Sequence, residues 1–338
     1  MNENTVQIGG LGAAVGKKVF GFVDVKDTLG IISQLPVGII NGADEGPTLL
    51  ITAGVHGCEY DGIEGATRIY KTTEPKGLRG TLIIITCMNL PAFRMRTQYE
   101  VPFDKKNLNW SFPGSPTGSA AEVIADVVMK EFLPKADYVV DCHGGDLDEL
   151  FCPIAMCTET DDEKVSEKSK ELANAFGLDR FFYDDATSRV DTSAGPSLTT
   201  FEGSWVTAAN KAGVPAICAE AGCDGRFEER DIAVHVRGLK NIMKHLGMIP
   251  GTVERESDFG QTKYFRSIIT IMVQSTGIFN PLVAPGEEVS KSKVLAEIRD
   301  LRGDIVDHVE SSEEGVVLTI MTKRVVVNGD TLFYVLKS

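Results

Sequence analysis

The sequence predicts a three-layer α/β domain built on a largely parallel sheet, followed by a small all-β domain. Three observations carry this expectation. Between about residues 36 and 250, continuous Val/Ile/Leu runs alternate with helical patterns, as expected of strands buried on both faces by helices. Beyond "GMIPGT" (247–252) no long helical period remains, and short apolar runs sit between turn signals. A chain of 338 residues that is 43% hydrophobic is long enough for one large core and a smaller second one.

The elements follow in order. Residues 1–35 read as an irregular or β-rich lead-in. "TLLITAGV" (48–55) is a strand, followed by the helix-like "DGIEGATRIYKTT". "GTLIIITCMN" (80–89) is a second strand, running into a long loop, and "SAAEVIADVVMKEFL" is a helix preceding the strand "ADYVVDCHG" (136–144). "EKVSEKSKELANAFG" has helical spacing, "VPAICAEAG" (214–222) reads as a strand, and "RDIAVHVRGLKNIMKHLG" as a helix. In the tail, "SIITIMV", "GIFNPLV", "KVLAEIRD", "GVVLTIM" and "DTLFYVL" are short strands separated by "APGEEV", "LRGDIV" and "VNGDT". The expected domains are therefore 1–250 and 255–338.

The formal charge is −14 and the isoelectric point about 4.9. Such a balance argues against nucleic acid or an anionic membrane as the main partner. The first residues lack the basic and apolar regions of a signal peptide, and no apolar run reaches the roughly 18 residues of a membrane helix. Seven cysteines, odd in number and without paired spacing, favour a reducing cytoplasm over a disulfide framework.

In an open parallel sheet, ligands bind beyond the carboxyl ends of the strands. Three polar groups fall there: His56 after "TLLITAGV", His143 after "ADYVVDC" and Glu220 after "VPAICA", with Glu59 in the turn following His56. Two imidazoles and a carboxylate with a fourth position open to water form a catalytic zinc set. A further carboxylate must then shuttle the proton, and Glu220 is the best placed. Each group also has a plainer reading: a polar loop capping a strand, a strand-ending histidine before glycines, a helix-capping carboxylate. The shared position at strand ends favours the metal reading. His235 and His245 lie in a helical pattern and His308 in the β region, and all three read as surface or core residues.

The stretches "GVHGCEYDGIEG", "NLPAFRMRTQYEVPFDKKNLNWSFPGSPTGS", "ADYVVDCHGGD" and "VPAICAEAG" together resemble the succinylglutamate desuccinylase/aspartoacylase family of the zinc-carboxypeptidase superfamily, in order from about residue 36 to 250. The resemblance implies a zinc-carboxypeptidase-like fold with a mostly parallel, mixed sheet. It also implies one zinc per chain held by His56, Glu59 and His143, with Glu220 as general base and acid. The implied reaction is hydrolysis of a small-molecule N-acyl substrate by metal-activated water. Asn109 matches the family's substrate-gripping asparagine, but Trp110 stands where the family has arginine. An indole offers one neutral donor and an apolar face instead of a bidentate cation. The substrate is therefore expected to be neutral, apolar or cationic at that end, stacked on Trp110, unless the indole packs away and another arginine compensates.

Arg96 resembles the superfamily's carbonyl-polarising arginine, and equally reads as a surface residue pairing Glu100 or Asp104. Asp146 reads either as a carboxylate buttressing a ligand imidazole or as a turn cap, and Cys58 as a small buried residue. The polar segment 184–203 offers Arg189 and Asp191 as substrate contacts. The tail resembles a biotinyl/lipoyl-type β-sandwich, yet its turn around "DLRGDIVDHV" has no lysine for a prosthetic group. Covering the active-site rim or making a subunit contact is its expected role, which allows a homo-oligomer. Two rival functions stand beside a deacylase: a metallocarboxypeptidase acting on a peptide end, and a non-catalytic binding protein on the same scaffold.

Overall fold

The computed structural model describes residues 5–27, 29–184, 189–190, 203–255 and 262–337. The strands are β1 (Val6–Ile8), β2 (Leu11–Ala13), β3 (Lys17–Asp27), β4 (Gly30–Asn41), β5 (Asp44–Ala53), β6 (Arg79–Ile85), β7 (Tyr138–His143), β8 (Glu149–Phe151), β9 (Ile154–Thr158) and β10 (Arg180–Asp184). They continue with β11 (Arg189–Val190), β12 (Ala216–Glu220), β13 (Lys263–Phe265), β14 (Ser267–Met272), β15 (Gly277–Pro281), β16 (Glu288–Val289), β17 (Val294–Arg299), β18 (Ile305–Glu310), β19 (Gly315–Met321), β20 (Val325–Val326) and β21 (Thr331–Lys337). The helices are α1 (Tyr60–Thr72), α2 (Leu90–Met95), α3 (Ala120–Val127), α4 (Glu163–Phe176), α5 (Trp205–Lys211) and α6 (Glu229–His245).

Nine strands form the central sheet in the order β13-β10-β9-β12-β7-β5-β6-β4-β3. Five of its junctions are parallel and three antiparallel, the mostly parallel, mixed sheet that the sequence predicts. Strands β6 and β7 and the second half of β5 are buried nearly throughout, because helices cover both faces. Ala66 and Ile69 of α1, Leu172 of α4 and Leu239 and Ile242 of α6 pack on one side. Ile124 of α3 and Trp205 and Ala209 of α5 pack on the other. Part of the lead-in is regular: β3 and β4 pair antiparallel over their full length and close one edge of the sheet.

The C-terminal strands form two further sheets around Phe279, Leu295, Val317 and Phe333. They are stitched to the α/β layers in several places. β13 joins the edge of the central sheet, β8 crosses to pair with β19, and a small apolar cluster containing Ile154, Phe182, Ile268 and Leu318 fills the junction.

Register positions the site. β7 pairs in parallel with both β5 and β12, setting Thr52 and Cys218 beside Asp141, and Glu220 beside His143. Three strand ends therefore finish within a residue of one another. After β5 the chain turns through Gly54 at φ 62°, a conformation glycine adopts without a Cβ clash. Gly57 must also be small, since a Cβ there would lie 2.3 Å from the backbone nitrogen of Phe93. The two glycines fold "GVHGCEY" back over the end of β5, with Glu59 immediately before α1.

Candidate metal centre

His56, Glu59 and His143 are each under 10% exposed, and their ligand atoms lie within 4.8 Å of one another. His56 Nδ1 is 2.7 Å from Glu59 Oε1, and His143 Nδ1 is 3.0 Å from Glu59 Oε2. The outer ring nitrogens are committed elsewhere. His143 Nε2 lies 2.8 Å from Asp141 Oδ2. His56 Nε2 lies 3.2 Å from Asn107 Oδ1, which is fixed as an acceptor because it also takes the Asn109 backbone N–H. Each Nε2 thus carries the ring proton, and both Nδ1 lone pairs turn towards Glu59.

Two lone pairs and a carboxylate at these distances require positive charge between them. Either both rings take a second proton, or a cation sits among them. Although Glu59 Oε2 is close to His143, it has no well-aligned hydrogen-bond donor, which leaves a lone pair for a ligand. Two imidazoles and one carboxylate are the donor types zinc favours, so the residues present fit the ion. In the metal-free chain burial acts to lower both histidine pKa values. Carboxylates, led by Glu59 at His56 and joined by Cys218 at His143, outweigh burial and raise both. Burial likewise opposes ionisation of Glu59, and the two imidazoles overcome it to hold its pKa at about 2.

Glu220 Oε1 lies 3.9 Å from His143 Nδ1, and Oε2 is buried without a hydrogen-bond partner. Burial, reinforced by Glu59, Asp146 and Asp141, pushes its pKa well above the usual carboxylate range. A carboxylate in that setting takes up a proton more readily than an ordinary one.

The carboxylate on the His143 imidazole is Asp141, not Asp146. Asp141 and His143 are two residues apart on β7 and project to the same side, whereas Asp146 accepts from Cys58 Sγ at 2.8 Å and from Tyr99. A further chain braces Asp141: Trp205 Nε1 donates to Thr52 Oγ1 at 2.9 Å, and Thr52 Oγ1 donates to Asp141 Oδ1 at 2.6 Å. Sequence reasoning missed Asp141, Asn107, Thr52 and Trp205. For Asp141 a signal was present in the D-x-H spacing of a strand; the others became neighbours only through the fold. Cys58 is fully buried, and burial together with Asp146 pushes its thiol far up, so it stays protonated.

A cavity of about 560 Å³ opens beside these groups. His56, Glu59, His143, Asp146 and Glu220 line it together with Asn109 and Trp110. Asn109 Oδ1 accepts the backbone N–H of Trp205 and so caps the approach to α5. Trp110 is 39% exposed and forms part of the cavity wall. Arg96 is not brought to the site. It ends α2 in the left-handed conformation, at φ 55°, and is exposed away from the cavity lining. The backbone of Arg189 pairs with Ser267; its side chain and Asp191 lie outside the described residues. Ile268, Leu318 and Tyr334 of the C-terminal sheets complete the cavity wall. Among the described lining residues there is no lysine or arginine.

Residues 45–246 match the model of the succinylglutamate desuccinylase/aspartoacylase catalytic domain. The chain is 30% identical over 306 residues to the N-alpha-acetyl-L-2,4-diaminobutyric acid deacetylase of Halomonas elongata, covering 88% of this chain and 84% of that protein. The product-bound structure of the ectoine utilization protein EutE (DoeB) from Ruegeria pomeroyi superposes with a TM-score of 0.80 at 25% identity, over 95% of each chain. A succinylglutamate desuccinylase/aspartoacylase structure from Rhodobacter sphaeroides shares the fold, with a TM-score of 0.80 at 23% identity over 95% of each chain.

Proposed function

Because the chain belongs to the succinylglutamate desuccinylase/aspartoacylase family, we propose that it is a deacylase using one zinc ion per chain. Its substrate is a small N-acyl amino acid or related N-acyl amine, cleaved at the amide bond. The observation that carries this reading is the convergence of His56, Glu59 and His143 beside Glu220. The Halomonas relative is a deacetylase of an N-acetylated amino acid, which supports the same bond type here.

A divalent ion held by the three side chains would supply the charge that polarises the acyl carbonyl and acidifies an adjacent water. Glu220 takes a proton from the attacking water as oxygen bonds to the acyl carbon. It then delivers that proton to the amine nitrogen as the C–N bond breaks, releasing a carboxylic acid and an amine. Asp141 and Asn107 hold the two rings with their Nδ1 atoms inward throughout, as outer partners of ligating histidines do. Arg96 has no part in this scheme. Peptide-end cleavage has less support, because the Halomonas relative is a deacetylase of an N-acetylated amino acid. No disulfide joins any of the seven cysteines, which suits a reducing compartment such as the cytoplasm.

The test combines metal analysis with a panel of N-acetyl, N-succinyl and N-formyl amino acids. Stoichiometric zinc and a rate reduced at least a hundredfold in Glu220→Gln are expected. Purified protein that takes up no zinc, or an unchanged rate in the variant, would overturn the reading.

A further inference from the structure

We propose that Glu149 forms a subsite for a positively charged group, such as an ammonium, on the amine half of the substrate. This inference rests on the deacylase reading for the identity of the substrate, but on different side chains.

Among the described residues, five carboxylates line the cavity: Glu59, Asp141, Asp146, Glu149 and Glu220. Four are accounted for. Glu59 faces the two imidazoles, Asp141 holds His143 and Thr52, Asp146 accepts from Cys58 and Tyr99, and Glu220 sits beside His143. Among the described residues Glu149 has no side-chain hydrogen-bond or ion-pair partner, and it is partly buried in the cavity wall. Burial and the neighbouring Asp146, Glu220 and Asp148 push its pKa well above the ordinary carboxylate range. A partly buried carboxylate in that state either stays protonated or takes a cation beside it. Even a divalent ion among the ligands leaves carboxylates in excess.

The backbone aims Glu149 inward. It lies on β8, which pairs with β19 through Met321↔Glu149 and Thr319↔Phe151. Alternation along a strand sets Glu149 and Phe151 on one side, and both line the cavity, while Leu150 packs into the core of the C-terminal sheets. Tyr99 and Tyr334 also line the cavity and lie within the field of Glu149. Aromatic faces around an acceptor suit an alkylammonium. Trp110 lines the same cavity and adds another aromatic side chain.

Two measurements test this. First, kcat/KM of the zinc-loaded enzyme is compared for Nα-acetylornithine and the neutral Nα-acetylnorvaline. The wild type should prefer the cationic substrate at least tenfold, and Glu149→Gln should lower that ratio at least tenfold. Glu149→Lys should favour Nα-acetylglutamate. Equal loss on both substrates, or a wild-type preference for the neutral or acidic one, would overturn the subsite and leave the deacylase reading standing. Second, calorimetry compares 2,4-diaminobutyrate with 2-aminobutyrate. The diamino acid should bind at least tenfold more tightly to wild type and lose that advantage in Glu149→Gln. Indistinguishable binding would overturn the subsite, whereas selective binding without hydrolysis of any N-acyl amino acid would defeat only the deacylase reading.

Discussion

Asp141→Asn is the sharpest probe of the proposed metal centre, because it changes one atom in a fully buried chain of contacts. In the wild type, Asp141 Oδ2 takes the His143 Nε2 proton at 2.8 Å and Oδ1 takes the Thr52 hydroxyl proton at 2.6 Å. Asparagine has one carbonyl oxygen for these two donors. If that oxygen faces His143, the amide NH2 meets Thr52, which already accepts from Trp205. If it faces Thr52, the NH2 meets His143 Nε2, and the ring proton must move to Nδ1, where a metal would bind. In the gentler case a charge-assisted bond of about 1.5–3 kcal/mol becomes a neutral one of about 0.5–1.5 kcal/mol, a loss of roughly 1–1.5 kcal/mol. The tautomer conflict adds to this, so zinc affinity should fall about 10–100-fold, or about 1.4–2.7 kcal/mol. Competition against a chromophoric chelator at pH 7.5 measures the affinity, and thermal melting of both apoproteins reports folding. A variant that melts like wild type yet holds zinc within twofold of it would refute the reasoning that Asp141 fixes the ligand ring.

Three further outcomes follow from the packing. Gly65→Ala would set a Cβ 2.5 Å from His235 Cβ, where α1 meets α6, and should cost about 1–3 kcal/mol in urea unfolding; an unchanged midpoint would mean the helices separate freely. His235 is fully buried, bonds through Nε2 to the Ala221 carbonyl at 2.8 Å, and has its pKa lowered, chiefly by burial. The unfolded chain therefore binds more protons than the native one once pH falls below about 6.5, and this group withdraws stability as pH drops through that range. Denaturation of wild type and His235→Gln between pH 8 and 5 should show a flatter acid slope in the variant, and parallel curves would contradict the assignment. Cys58 and Cys142 are fully buried, and burial pushes both thiols upward. Native labelling with a thiol reagent should therefore spare them and reach the partly exposed Cys223 first, whereas early modification of Cys58 would indicate local opening of the metal loop.

The layered architecture was legible in the sequence because its determinants are local. "TLLITA", "LIIIT" and "YVVDC" are apolar on both faces, so they had to be central strands, and the amphipathic stretches between them had to be covering helices. Strand ends bearing His56, His143 and Glu220 could likewise be found one at a time. What a linear pattern does not encode is register and crossing. Thr52, Asp141 and Trp205 touch because β5 and β7 align in parallel and α5 lies over them. Asp146 sits closer in sequence to His143 than any other acidic residue except Asp141, yet turns to Cys58 and Tyr99. Arg96 falls outside the cavity because α2 ends in a left-handed residue there. Glu149 faces inward only because β8 leaves the α/β layers to pair with β19. The sequence by itself thus determined the strands, the helices and the candidate metal-ligating residue types, through periodicity and burial within single segments. The tertiary structure alone decided which carboxylate orients the imidazole and which is left facing the cavity, because hydrogen bonds at 2.6–3.2 Å depend on how separate strands are brought together.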